Sequence, residues 1–84
     1  MNEFVVYVLY SETHNKTYTG YTSDLINRFH SHNHFAGKGY TIRYRPWTVV
    51  YVEFYSTQRE ARNRELYLKT GVGREFLRSQ TNFR

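Results

Sequence analysis

The sequence has no cysteine, which excludes disulfides, cysteine-rich zinc modules, iron–sulfur clusters and thiol nucleophiles. One proline and five glycines in 84 residues exclude collagen-like and low-complexity chains. The longest apolar run, Phe4 to Tyr10, is seven residues. A bilayer span needs roughly 20. Met1-Asn2-Glu3 is not the basic start of a secretory signal, so the expected location is cytoplasmic, away from membranes. Acids are scarce, seven against twelve Lys and Arg, for a net charge of +5.

Aromatics and arginine are abundant instead. Sixteen residues are aromatic, nine of them Tyr, and nine of the twelve cations are Arg. Arginine pairs bidentately with phosphate and stacks on rings. A small, basic, Arg- and Tyr-rich chain leans toward nucleic acid. The length fits one domain, residues 1–84, held by packing alone.

Phe4-Val5-Val6-Tyr7-Val8-Leu9-Tyr10 reads as a strand with two apolar faces, which places it in the middle of a sheet. Ser11 to Lys16 is a polar turn, and Thr17 to Tyr21 is a second strand, so the two form a hairpin. Thr22-Ser23-Asp24 starts a helix that runs to about Asn33, with Leu25, Ile26 and Phe29 as its apolar stripe. His34 to Pro46 reads as a loop and Trp47 to Tyr55 as a third strand. Thr57 and Glu60 fit a capping box for a second helix, with Gly71 as its stop. Gly73 to Gln80 forms a short last helix. The order is β-β-α-β-α-α, an α+β fold.

If Tyr10 pairs with Thr17, paired residues sum to 27, and Tyr7 and Tyr18 share a sheet face. Arg28 and His32 lie four apart on one helix face, with Asp24 four before Arg28 as a possible ion-pair partner. Glu65 falls at the seam of the second helix. A hard cation such as Mg²⁺ takes oxygen ligands and often only one or two protein carboxylates. His30, His32 and His34 alternate, but a helix would put His32 on a different face, and no His-Glu-x-x-His pattern supports zinc.

Val5-Val6-Tyr7 and Tyr18-Thr19-Gly20 resemble the two halves of the GIY-YIG nuclease signature. Arg28-x-x-x-His32 is similar to that family's helix motif, and Arg64-Glu65 to its metal-binding segment. Asn33 after His32, Tyr44-Arg45-Pro46-Trp47 and Gly71 to Phe76 resemble its short, stand-alone bacterial URI-like branch. The resemblance runs from about Phe4 to Arg78. It implies a small three-stranded antiparallel sheet flanked by helices, and a DNA endonuclease in repair, recombination or related DNA processing.

It further implies that Tyr7 and Tyr18 are the signature tyrosines, one acting as or orienting the base. Arg28 would bind phosphate, His32 handle a proton, and Glu65 hold a single Mg²⁺ or Mn²⁺. A phenol of pKa about 10 is a poor base at neutral pH unless a nearby cation lowers it, a task open to Arg28 or the metal. Lys38, Tyr40, Arg43 and Arg45 in the loop, and Arg62, Arg64 and Lys69 on the second helix, are the expected nucleic-acid contacts. The competing readings are a non-catalytic nucleic-acid-binding module of the same fold and a domain recruited by a protein partner. A homodimer would help so small a chain grip two strands.

Overall fold

The computed structural model describes residues 4–30, 33 and 40–80, with the side chains of residues 30, 40 and 41 left out of the description. Two strands open the chain, β1 (Phe4–Ser11) and β2 (Lys16–Thr22), followed by α1 (Leu25–His30). Next come α2 (Tyr40–Arg43) and β3 (Thr48–Tyr55), and then α3 (Gln58–Leu68) and α4 (Gly71–Gln80). The sheet is antiparallel with order β2-β1-β3. β1 is thus the central strand, as its two apolar faces require.

Tyr10 pairs with Thr17, Leu9 with Tyr18 and Tyr7 with Gly20, the register in which partners sum to 27. The hairpin turn is closed by Asn15, whose φ of 53° is one that Asn tolerates. The Tyr10 hydroxyl donates to Asn15 Oδ1 at 3.0 Å. A register shift in β3 opposite Val8 and Leu9 keeps Val49 and Val52 on the same side of the sheet.

Two cores result, one per face. Val6 and Val8 pack with Ala61, Leu68 and Leu77 of α3 and α4. Tyr7 and Leu9 pack with Trp47, and Leu25 and Phe29 of α1 lean on this second cluster. α3 and α4 cover one face and α1 the other, where Leu25 and Phe29 turn inward while Ile26, expected in the same stripe, is exposed.

Thr57 caps α3 as expected, though Glu60 binds the Thr57 hydroxyl and not its backbone N–H. Thr57 Oγ1 accepts from the Glu60 N–H at 3.2 Å, and the Thr57 hydroxyl donates to Glu60 Oε1 at 3.1 Å. Two further details differ from expectation. A one-turn helix, α2, interrupts the stretch read as a loop. Gly71 is not the stop of α3: that helix caps at Lys69, and Gly71 opens α4. Thr70 makes the break instead, its hydroxyl donating to Tyr67 O at 2.7 Å and accepting from the Gly73 N–H at 3.1 Å. Gly73 is where the two helices touch: a Cβ there would lie 2.2 Å from Tyr67 O.

Glu53 of β3 and Arg64 of α3 make a two-point ion pair, Nε to Oε1 at 2.9 Å and Nη2 to Oε2 at 3.1 Å. The Tyr55 hydroxyl donates to Oε1 at 2.6 Å, and the Tyr51 hydroxyl donates to Oε2. Arg64 also lies 5.0 Å from the ring centroids of both Tyr67 and Phe76. Burial alone would raise the Glu53 pKa, but hydrogen bonds from Arg64, Tyr51 and Tyr55 outweigh it and hold the carboxyl below its ordinary value. Burial and the bond to Glu53 push Tyr55 up to about 12.

A carboxyl whose folded pKa lies below its unfolded value stabilises the fold above about pH 4.3, and that stabilisation is lost as pH falls through the folded pKa. Urea unfolding should therefore show stability declining on acidification below about pH 5. Glu53→Gln should start about 1–3 kcal/mol less stable at neutral pH and decline less steeply.

Candidate active site

The chain brings Tyr7, Tyr18 and Gly20 together because alternate residues of a strand share a face and β1 and β2 pair in this register. The rings of Tyr7 and Tyr18 have centroids 6.3 Å apart and are tilted by 37°. Gly20 lies under the end of Tyr7. A Cβ at Gly20 would sit 2.7 Å from the Tyr7 hydroxyl and 2.9 Å from its Cζ. Glycine is needed here for the space it leaves, which the phenol fills.

Tyr7 is 1% exposed. Burial raises its pKa, and the neighbouring Tyr18 raises it further. The positive charge of Arg28 lowers it and the negative charge of Glu65 raises it. Tyr7 therefore feels side chains from β2, α1 and α3 at once. The expectation that Arg28 lowers the phenol is met in sign only: burial outweighs it, and Tyr7 stays protonated where an ordinary phenol ionises. Tyr18 is half-buried, its ring edge-on to Trp47 at 6.5 Å.

Arg28 is exposed on α1. Its expected partner Asp24 is engaged elsewhere, as the cap of α1. Asp24 Oδ1 accepts from the Asn27 N–H at 3.2 Å, and Oδ2 accepts from Asn27 Nδ2 at 2.7 Å. Among the described residues Arg28 has no carboxylate within ion-pair distance. His32 lies outside the described residues. Its neighbour Asn33 grips the backbone of Trp47 twice, Oδ1 accepting from the Trp47 N–H at 2.7 Å and Nδ2 donating to its carbonyl at 3.1 Å. Asn33 thereby joins the segment after α1 to the ring that packs on Tyr18, a role its sequence position did not disclose.

Glu65 is 9% exposed, deeper than a seam position suggests. Lys69 Nζ sits 2.5 Å from Glu65 Oε2. Of the expected nucleic-acid contacts, Lys69 is thus held on Glu65, and Arg64 directs its donors to Glu53 behind the sheet. Arg43 and Arg62 are exposed and Arg45 is half-buried. Lys38 and the side chain of Tyr40 lie outside the description.

Over residues 3–76 the sequence matches the GIY-YIG catalytic domain. The chain belongs to this family. It is 44% identical over 52 residues to a UPF0213 protein of Clostridium perfringens, covering 62% of this chain and 56% of that one. It is 44% identical over 55 residues to the UPF0213 protein YazA of Bacillus subtilis, 66% of this chain and 56% of that one. A Staphylococcus haemolyticus UPF0213 protein is 47% identical over 58 residues, 67% of this chain and 68% of that one. The chain thus spans little more than half the length of the first two relatives. No solved structure matches. No helix among the described residues is long and apolar enough to cross a membrane.

The same residues yield two tests. Gly20→Ala should fold but lose about 1–2 kcal/mol in urea denaturation, because the buried Tyr7 phenol must shift. In ultraviolet titration at about pH 10, Tyr7→Phe should leave the amount of ionised tyrosine nearly unchanged, since Tyr7 is still neutral there.

Proposed function

We propose that this GIY-YIG protein is a divalent-metal-dependent endonuclease that hydrolyses DNA phosphodiester bonds in repair, recombination or related DNA processing. What supports the reading is the buried Tyr7 phenol, packed over Gly20 beside Tyr18 and within electrostatic reach of Glu65 and of Arg28, which has no carboxylate within ion-pair distance among the described residues. Phosphodiester hydrolysis needs charge neutralised on the phosphate, a positioned water and a stabilised leaving group. Arg28 supplies a two-pronged cation for the non-bridging oxygens. Tyr7, held neutral, donates a hydrogen bond and orients, leaving Tyr18 and His32 as the groups to take the proton from water.

The donor set fits one hard cation. Among the described residues no cluster of three His, Asp or Glu exists. Mg²⁺ in phosphate chemistry needs only one or two carboxylates, with water and phosphate oxygens completing the shell. Glu65 would hold it, with the long Lys69 side chain swinging off the carboxylate. When bound, the metal supplies positive charge to the phosphate and the leaving oxygen.

Cleavage of labelled single-stranded, duplex and branched DNA in Mg²⁺, Mn²⁺ or EDTA tests this. Wild type should cut in metal and not in EDTA. Glu65→Gln and Arg28→Ala should each lose at least about 10²-fold in rate at saturating DNA. Metal-independent binding with no cleavage of any substrate would replace the nuclease with a binding module.

A further inference from the structure

His14 in the hairpin turn, Lys16 at the start of β2 and Arg43 at the end of α2 all lie against a single ring, Tyr44. Lys16 Nζ lies 5.4 Å from the Tyr44 ring centroid and Arg43 Cζ lies 5.8 Å from it. The His14 ring meets Tyr44 edge-on at 5.4 Å. Tyr44 itself packs against the core cluster that contains Tyr7 and Trp47 and against which Tyr18 also packs. The ring that gathers these cations is therefore fixed by the same packing as the active-site phenols.

The turn is also fixed. Ser11 is fully buried, and its Oγ accepts from the His14 N–H at 3.4 Å. Lys16, Arg43 and His14 are all exposed. Among the described residues neither Lys16 nor Arg43 has a carboxylate within ion-pair distance, although Glu12 shares the turn. Both cations rest on one ring without a carboxylate counter-ion, so an anion is the ligand that would complete them. Lys16 and Tyr18 are alternate residues of β2 and share its site-facing side, about 7 Å apart, close enough for one strand to contact both.

We infer that Lys16 and Arg43, gathered on Tyr44 and flanked by His14, form a backbone-phosphate clamp. It holds a nucleic-acid strand at a phosphate flanking the one cut at Tyr18. The inference deepens the nuclease reading and rests on it for the position of the strand. An acidic peptide would also satisfy two cations, but continuity with the Tyr18 face and the aromatic platform favours a polynucleotide.

The test is the salt dependence of affinity for a fluorescein-labelled oligonucleotide in EDTA, where nothing is cut. Each lost phosphate contact lowers the log–log slope by about 0.7–0.9. Lys16→Ala/Arg43→Ala should therefore flatten the slope by about 1.5. Arg74→Ala/Arg78→Ala on α4 removes the same charge from exposed positions elsewhere and should leave the slope within about 0.3 of wild type. Lys16→Arg should retain the wild-type slope. Circular dichroism of each variant verifies folding. Equal flattening in both double variants, or no flattening in the first, overturns the clamp, as does wild type that binds no nucleic acid at low salt. Wild type that never cleaves but shows the selective flattening keeps the clamp and removes the nuclease. Cleavage with an unchanged slope does the reverse.

Discussion

The carboxylate of Glu53 accepts hydrogen bonds from two nitrogens of Arg64 and from the hydroxyls of Tyr51 and Tyr55. A charge taken from water is tolerable only when its lone pairs are satisfied and its counter-ion is close. Here both conditions hold, and the counter-ion lies between Tyr67 and Phe76. One ion pair therefore ties β3, α3 and α4. Its directionality matters more than its strength. Leucines on Val6 and Val8 would let α3 roll, whereas a two-pronged guanidinium on a carboxylate permits one rotation. Successive residues of a helix are turned by about 100°. With Arg64 fixed on β3, the next residue, Glu65, is set at an angle from which its charge reaches Tyr7. The polar anchor behind the sheet thus orients the candidate metal ligand.

The second constraint is the bare α-carbon of Gly20. β1 is buried on both faces, so the Tyr7 side chain has nowhere to go but across its neighbour in β2. The paired residue must be small. What looks in sequence like a signature tyrosine followed later by tyrosine, any residue, glycine is in three dimensions one cross-strand contact. Trp47 and Asn33 complete the packing around it. Asn33 acts as a short strand edge, presenting an acceptor and a donor to the backbone of one residue, Trp47.

Much of this was legible because it is local. Two-faced apolarity put β1 in the centre. Hairpin length put Tyr7 and Tyr18 on one face. Thr57 and Glu60 announced the start of α3. What failed to read out is what depends on choice among partners. Asp24 stands four residues from Arg28 and also at a helix N-terminus, and the cap prevails because it satisfies a backbone donor. Arg64 reads as one more cation of a basic helix, yet its partner lies eleven residues back on β3, a spacing no helical periodicity reports. Lys69 likewise looks like a surface cation until α3 buries Glu65 one turn before it. The hairpin cations looked like an ordinary polar turn because Tyr44, which gathers them, is twenty-eight residues from Lys16.

The raised pKa of Tyr7 bears on how such a site divides its labour. A phenol can serve hydrolysis as a base or as a donor, and the two demand opposite environments. A base needs nearby positive charge and solvent to support the phenolate. A donor needs its proton kept, which burial and a neighbouring carboxylate accomplish. Tyr7 has the second environment. Arg28 opposes burial without overcoming it, so no phenolate is stabilised at Tyr7. Tyr18, across the hairpin, is only half-buried and so more open to solvent. Two tyrosines on one sheet face are then two different tools, separated by the depth to which the register of one hairpin sinks each ring.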